Sequence, residues 1–155
     1  IDLKSRRAHM AGLTRHPKEG FMAQVARNLT DCEDGFLSLH KALICDRDAQ
    51  FTAQFRQILG EAGVKVVRTP PRAPNCNAFA ERFVLSIKSE CLDRMIFFGE
   101  SSLRHALREY LAHYHRERAH QGIGNEVIDA RPPGRGDVRC SERLGGLLKH
   151  YQRAA

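Results

Sequence analysis

Two carboxylates stand out for their surroundings. Asp46 directly follows the apolar run Ala42-Leu43-Ile44-Cys45, which reads as a short buried strand. In open α/β folds ligands gather beyond the carboxyl ends of parallel strands, so an aspartate there can face a metal ion while its strand holds it rigidly. Glu81 lies in a helical pattern whose apolar stripe is Phe79, Phe83, Ile87 and Cys91, with Ala80 and Val84 beside it. At about 100° per residue Glu81 projects roughly 120° from Ile87, at the flank of the buried face. Thirty-four residues separate the two acids. Such oxygen donors suit Mg²⁺ or Mn²⁺. Plainer roles exist for both. Asp46 could cap a helix beginning near residue 52, and Glu81 could be a solvated helix residue. Asp48 is a rival to Asp46. Lys88, seven residues after Glu81, projects within about 20° of it and roughly 10 Å along the helix; its plain role is an exposed lysine. Arg72 and Arg82 are candidate phosphate contacts.

Charge agrees with an anionic partner. The net charge is +7 and the pI near 9.5, which favours nucleic acid. Residues 1–30 carry +4, residues 31–64 carry −3, and residues 65–94 and 95–155 carry +3 each. Cations that hold phosphates around one acidic block that holds a metal are what a metal-dependent nuclease requires; a basic surface with one acidic loop is the plainer alternative. No apolar run approaches the roughly 20 residues of a membrane span, and no signal peptide is visible. Five cysteines, none in a C-x-x-C pair, argue against a disulfide framework or zinc site and for thiols in a reducing cytoplasm. The histidines show no ligand spacing, and His113, His115 and His120 read as surface residues.

These groups need a scaffold. Residues 8–14 read as a short strand. Pro17 opens a helix in which Phe21, Val25 and Leu29 repeat. After a loop over 31–40 and the strand 42–45, Phe51, Phe55, Ile58, Leu59 and Ala62 form a second helix, ended by Gly63. Val64 to Val67 is the next strand, and the βαβ unit makes the two strands parallel. Pro70, Pro71 and Pro74 stiffen the connection to a long helix over 76–92. Another helix spans Ser102 to Arg118, with Leu103, Leu107, Tyr110, Leu111 and Tyr114 on one face. Residues 119–143 read as a surface loop, and Leu144 to Tyr151 as a strand or turn.

Taken together, the motifs resemble a family. Cys45 to Phe51 (CDRDAQF) resembles the second-aspartate motif of insertion-sequence transposases and retroviral-type integrases, and Pro74 to Phe83 (PNCNAFAERF) resembles their glutamate motif. The interval corresponds to the family's D-35-E pattern. Ile1 to Arg6 resembles the segment after the first catalytic strand, and Tyr114 to Gly122 the end of the C-terminal helix. The resemblance implies a ribonuclease H-like α/β fold, a five-stranded mixed sheet with helices on both faces. It implies DNA cleavage by activated water and then attack of a 3′-hydroxyl on target DNA, with two Mg²⁺ (or Mn²⁺) ions ~3.5–4 Å apart. Asp46, preferred over Asp48 by spacing, and Glu81 would be the second and third metal-binding catalytic residues, with Lys88 touching DNA near the scissile phosphate. Partners would be transposon-end and target DNA, within a homo-oligomer when the protein is complete, and no membrane. The family's first catalytic aspartate has no counterpart, since Asp2 matches a non-catalytic position. The expectation is therefore an N-terminally truncated core over 1–122 followed by a loop and tail over 123–155, catalytically inactive alone. A non-catalytic nucleic-acid-binding remnant and a ribonuclease H-like nuclease are the alternatives.

Overall fold

A computed structural model describes residues 1–154 except Pro133, the side chain of Pro74 aside. The chain is a mixed α/β protein of two compact units, one formed by His9–Ala78 and the other by Ile1–Ala8 with Phe79–Ala155.

The His9–Ala78 unit contains α1 (Glu19–Leu29), β1 (Ala42–Cys45), α2 (Ala53–Glu61) and β2 (Lys65–Arg68). As the βαβ pattern requires, β1 and β2 are parallel, in register from Ala42 opposite Lys65 to Cys45 opposite Arg68. Helix α1 buries Met22, Val25, Ala26 and Leu29, and α2 buries Phe55 and Leu59. Each large side chain so buried contributes ~1.5–3 kcal/mol. Leu43 and Val66, opposite one another, pack onto this core; their neighbours Ile44 and Val67 point the other way and remain 40% and 39% exposed. The end of α2 shows why the sequence stops there. Gly63 has φ +80°, its N–H donates to Gly60 O, and the Val64 N–H donates to Leu59 O. This is the paired bonding of a glycine-terminated helix, and it turns the chain straight into β2.

Residues 8–14 do not form the strand read from their composition. A strand exists through its ladder, and among the described residues none pairs with them.

The other unit contains α3 (Ala78–Glu90), α4 (Gly99–Arg116), β3 (Val138–Arg143) and β4 (Leu148–Arg153). A 3₁₀ turn over Pro74–Asn77 precedes α3, so the α-helix starts later than the apolar stripe suggests. Ile87 and Cys91 pack with Ala106, Tyr110, Tyr114, Leu148 and Ala8. Phe83 meets the Tyr114 ring edge-on at 5.0 Å. The loop read over 119–143 ends instead in β3, which pairs antiparallel with β4 from Val138 opposite Arg153 to Arg143 opposite Leu148. Of the two strands only Leu148 is fully buried, so little alternation marks them in the sequence. Leu144, Gly145 and Gly146 make the turn at positive φ. The sheet system among the described residues is thus two two-stranded sheets, parallel and antiparallel.

Two histidines read as surface residues are buried. The His113 Nδ1–H donates to Glu117 Oε2 at 3.0 Å, and the His120 Nε2–H donates to Tyr114 O at 2.7 Å. A satisfied ring nitrogen makes such burial inexpensive. No helix among the described residues is long and apolar enough to cross a membrane.

Candidate functional site

Asp46 is the first residue past β1, and it is exposed. Strand position alone would leave it on a loose loop, but four bonds fix that loop. The Thr69 N–H donates to Cys45 O at 2.9 Å, and Arg47 Nε–H donates to Thr69 O at 3.0 Å. Asp46 Oδ1 accepts the Asp48 N–H at 3.0 Å, and Asp48 Oδ1 accepts the Gln50 N–H at 2.9 Å. Aspartates favour such local turns because the short carboxylate mimics a backbone carbonyl. The cap of α2 is Thr52, whose hydroxyl accepts the Phe55 N–H at 3.2 Å. Asp46 is therefore not the helix cap, the plain role open to it from sequence. Burial, and then the Asp46 charge, push the neighbouring Cys45 thiol up. Arg72 of the same unit is exposed and left-handed, φ 59°, a conformation that costs a side-chain-bearing residue roughly 1–2 kcal/mol.

Glu81 belongs to the other unit. It lies exposed in the first turn of α3, where a negative charge complements the helix dipole. Arg82 and Lys88 are exposed on the same helix, while Ile87 and Phe83 face the core. The helix thus presents Glu81, Arg82 and Lys88 to solvent by burying its stripe. At its start the Arg6 guanidinium lies 3.8 Å from the Phe79 ring centre, which covers a phenyl group that is 46% exposed. The sequence marked Arg6 only as part of a motif; nothing in the linear pattern announces a contact across seventy residues.

The residues that the sequence missed form an ion-pair network at the end of α4. Glu90 accepts from Arg118 Nε at 2.9 Å and Nη2 at 2.7 Å, and from the Tyr110 hydroxyl at 3.1 Å. Burial opposes ionisation of Glu90, but the bonds and charge of Arg118 outweigh it and hold the carboxyl below its ordinary range. The Tyr110 hydroxyl, buried beside that carboxylate, is pushed far up. These groups are spent on one another and serve as structure.

As for metals, the oxygen donors of Asp46 and Glu81 are hard and suit Mg²⁺ or Mn²⁺ in kind. Among the described residues no group of three or more His, Cys, Asp and Glu side chains is placed to hold an ion.

No curated protein and no solved structure matches the chain. Asp46 lies outside the stretch that matches a family model, whereas Arg72, Glu81, Arg82 and Lys88 lie inside it. From residue 62 to residue 127 the sequence matches the family model described as integrase core domain, which supports an integrase/transposase catalytic core.

Proposed function

We propose that the chain is part of a ribonuclease H-like core that cuts DNA and joins its 3′ ends to a target, with transposon ends and target DNA as partners and a homo-oligomer as the working form. The integrase core match over the glutamate motif carries this reading. Asp46 and Glu81 are proposed as the second and third catalytic carboxylates, on motif and interval. They would hold divalent ions, which when bound neutralise charge at the attacking and leaving oxygens of an in-line displacement. Arg72, Arg82 and Lys88 hold phosphates and fix the register of the strand. Residues 1–122 form the core of this reading and 123–155 follow it. The chain carries two of the three carboxylates, so alone it is inactive.

The test is Mn²⁺-dependent nicking of supercoiled DNA by the chain with a relative's first catalytic strand supplied in front of it. Nicking that Asp46→Asn and Glu81→Gln each abolish supports the reading; nicking that survives both overturns the assignment. The net charge of +7 also suits a second reading, a nucleic-acid-binding remnant without catalysis that keeps only the basic surface. Salt-sensitive DNA binding with no nicking in the completed protein would select it.

A further inference from the structure

The β3–β4 ribbon is a fixed platform, not a tail. Leu148 is buried in the core of its unit. Arg143 reaches two helical carboxylates, donating from Nε and Nη2 to Glu117 at 3.0 and 2.7 Å and from Nη1 to Glu109 at 2.8 Å. The pleat places Arg139, Ser141, Arg143, Leu148, His150 and Gln152 on this fastened side, with Arg139 and Gln152 exposed at its open end. Val138, Cys140, Glu142, Lys149, Tyr151 and Arg153 alternate with them and are all exposed, Tyr151 by 65%.

The ribbon is also strongly basic. Residues 131–153 hold six arginines and lysines against two acids. Arg143 is consumed by its anchors and Lys149 by Glu142 at 3.1 Å. Arg131, Arg135, Arg139 and Arg153 are exposed and enter no ion pair among the described residues. The fold gathers three of them at the open end. The Gly136 N–H donates to Ala154 O, the Ala154 N–H donates to Asp137 O, and Arg153 Nη1 donates to Gly136 O at 3.3 Å. Gly134 and Gly136 permit this: a Cβ at 134 would lie 1.9 Å from the Ala154 carbonyl oxygen. Arg135 thereby lies just beyond the ladder, with Arg139 and Arg153 on opposite faces of the same open end and Asp137 as the local acid. Like charges so placed repel one another, and an external polyanion relieves that repulsion.

We propose that this ribbon is a second DNA-contacting surface, seated on the backbone of duplex DNA through Arg135, Arg139 and Arg153, with the Tyr151 hydroxyl a further phosphate donor. Duplex DNA suits the shape, since a two-stranded ribbon is narrow enough to enter a major groove, whose two walls both carry phosphates for cations on the ribbon's two faces. The inference rests on the reading of the chain as a DNA-acting core.

The experiment uses the full chain and a labelled random-sequence duplex, with affinity measured between about 50 and 200 mM salt. Loss of each phosphate contact lowers the slope of log affinity against log salt by about 0.9. The triple change Arg135→Gln/Arg139→Gln/Arg153→Gln should lower it by about 2 to 3, with at least about tenfold weaker binding at 0.1 M salt. The three matching Arg→Lys changes should preserve the slope. If the glutamine triple melts early, Arg139→Gln and Arg153→Gln singly should each remove about one unit of slope. A wild-type chain that binds no DNA sinks the functional reading and this inference together. Wild-type binding with an unaltered slope in the glutamine variants overturns the ribbon alone. Ribbon-dependent binding to anionic lipid vesicles in place of the duplex overturns it too.

Discussion

Glu117→Gln asks whether charge fastens the ribbon to α4. The Glu117 carboxylate takes Nε and Nη2 of Arg143 and faces His113 Nδ1 at 3.0 Å, with its side chain only 10% exposed. Glutamine keeps the shape and one acceptor oxygen but removes the charge and turns an N–H₂ toward a guanidinium. Stripping one partner from a buried ion pair costs ~3–5 kcal/mol. Here Arg143 retains Glu109 and is a quarter exposed, which discounts the loss to about 2 kcal/mol. In a protein of this size each kcal/mol moves the melting midpoint by ~2–4 °C, so a fall of about 4–8 °C is expected at pH 7. Acidity supplies the control. Burial pushes the Glu117 carboxyl up, but bonds to Arg143 and His113 outweigh it and hold it below the ordinary range. A carboxyl with a depressed folded-state pKa stabilises fully above its unfolded value of about 4.3, and that contribution is lost as pH falls through the folded value. Protonated Glu117 then resembles glutamine, so the gap between wild type and variant should narrow as pH falls below the unfolded value of about 4.3. Calorimetric melting of both proteins across this range measures it. An equal gap at both ends would refute the electrostatic account, and no gap at pH 7 would refute the anchor.

Three further outcomes follow from the site and the core. Mg²⁺ or Mn²⁺ should raise the melting midpoint, by as much as ~2.7 kcal/mol of stability at a hundredfold excess over the dissociation constant; Asp46→Asn and Glu81→Gln should remove that rise and Asp48→Asn should not, as thermal melts with and without metal will show. Both asparagines can still accept the local N–H bonds, so loss of folding does not confuse that comparison. Lys88→Ala should weaken DNA binding severalfold in a filter or anisotropy assay while leaving the metal-induced rise intact, because an ammonium does not ligate Mg²⁺. Phe55→Ala should cost ~3–5 kcal/mol in urea unfolding followed by far-ultraviolet circular dichroism, since the ring is 1% exposed in the core of the His9–Ala78 unit.

Local order was legible where one residue type decides it. Pro17 and the Phe21, Val25, Leu29 repeat located α1, and Gly63 located the end of α2 within one residue. The β-branched Val64 to Val67 gave β2 shifted by one, with Val64 serving the core instead of the ladder. Illegible features were those that depend on partners far along the chain. Residues 8–14 have strand-like composition but no ladder partner among the described residues, and β3 and β4 pair through a turn whose flanking residues are mostly exposed. The same holds at the site. Asp46 could be placed at a strand end from its own neighbours, whereas Thr52 as the true cap, Arg6 on Phe79 and Arg118 on Glu90 required the fold.

The interrupted course of one unit bears on its synthesis. Every segment of the His9–Ala78 unit is contiguous, so a ribosome releases it whole before the long helices of the other unit exist. Its partner must wait. The Ala8 N–H donates to His115 Nε2 at 3.0 Å and Arg7 pairs with Asp129, so residues 1–8 lack these partners until more than a hundred further residues have been made. Closing so long a loop costs only slightly more entropy than closing a short one, because the cost grows with the logarithm of length. The delay therefore shows in order of assembly more than in final stability: the inserted unit can condense during translation, and residues 1–8 dock last, after α4 and the stretch to Asp129 have left the exit tunnel.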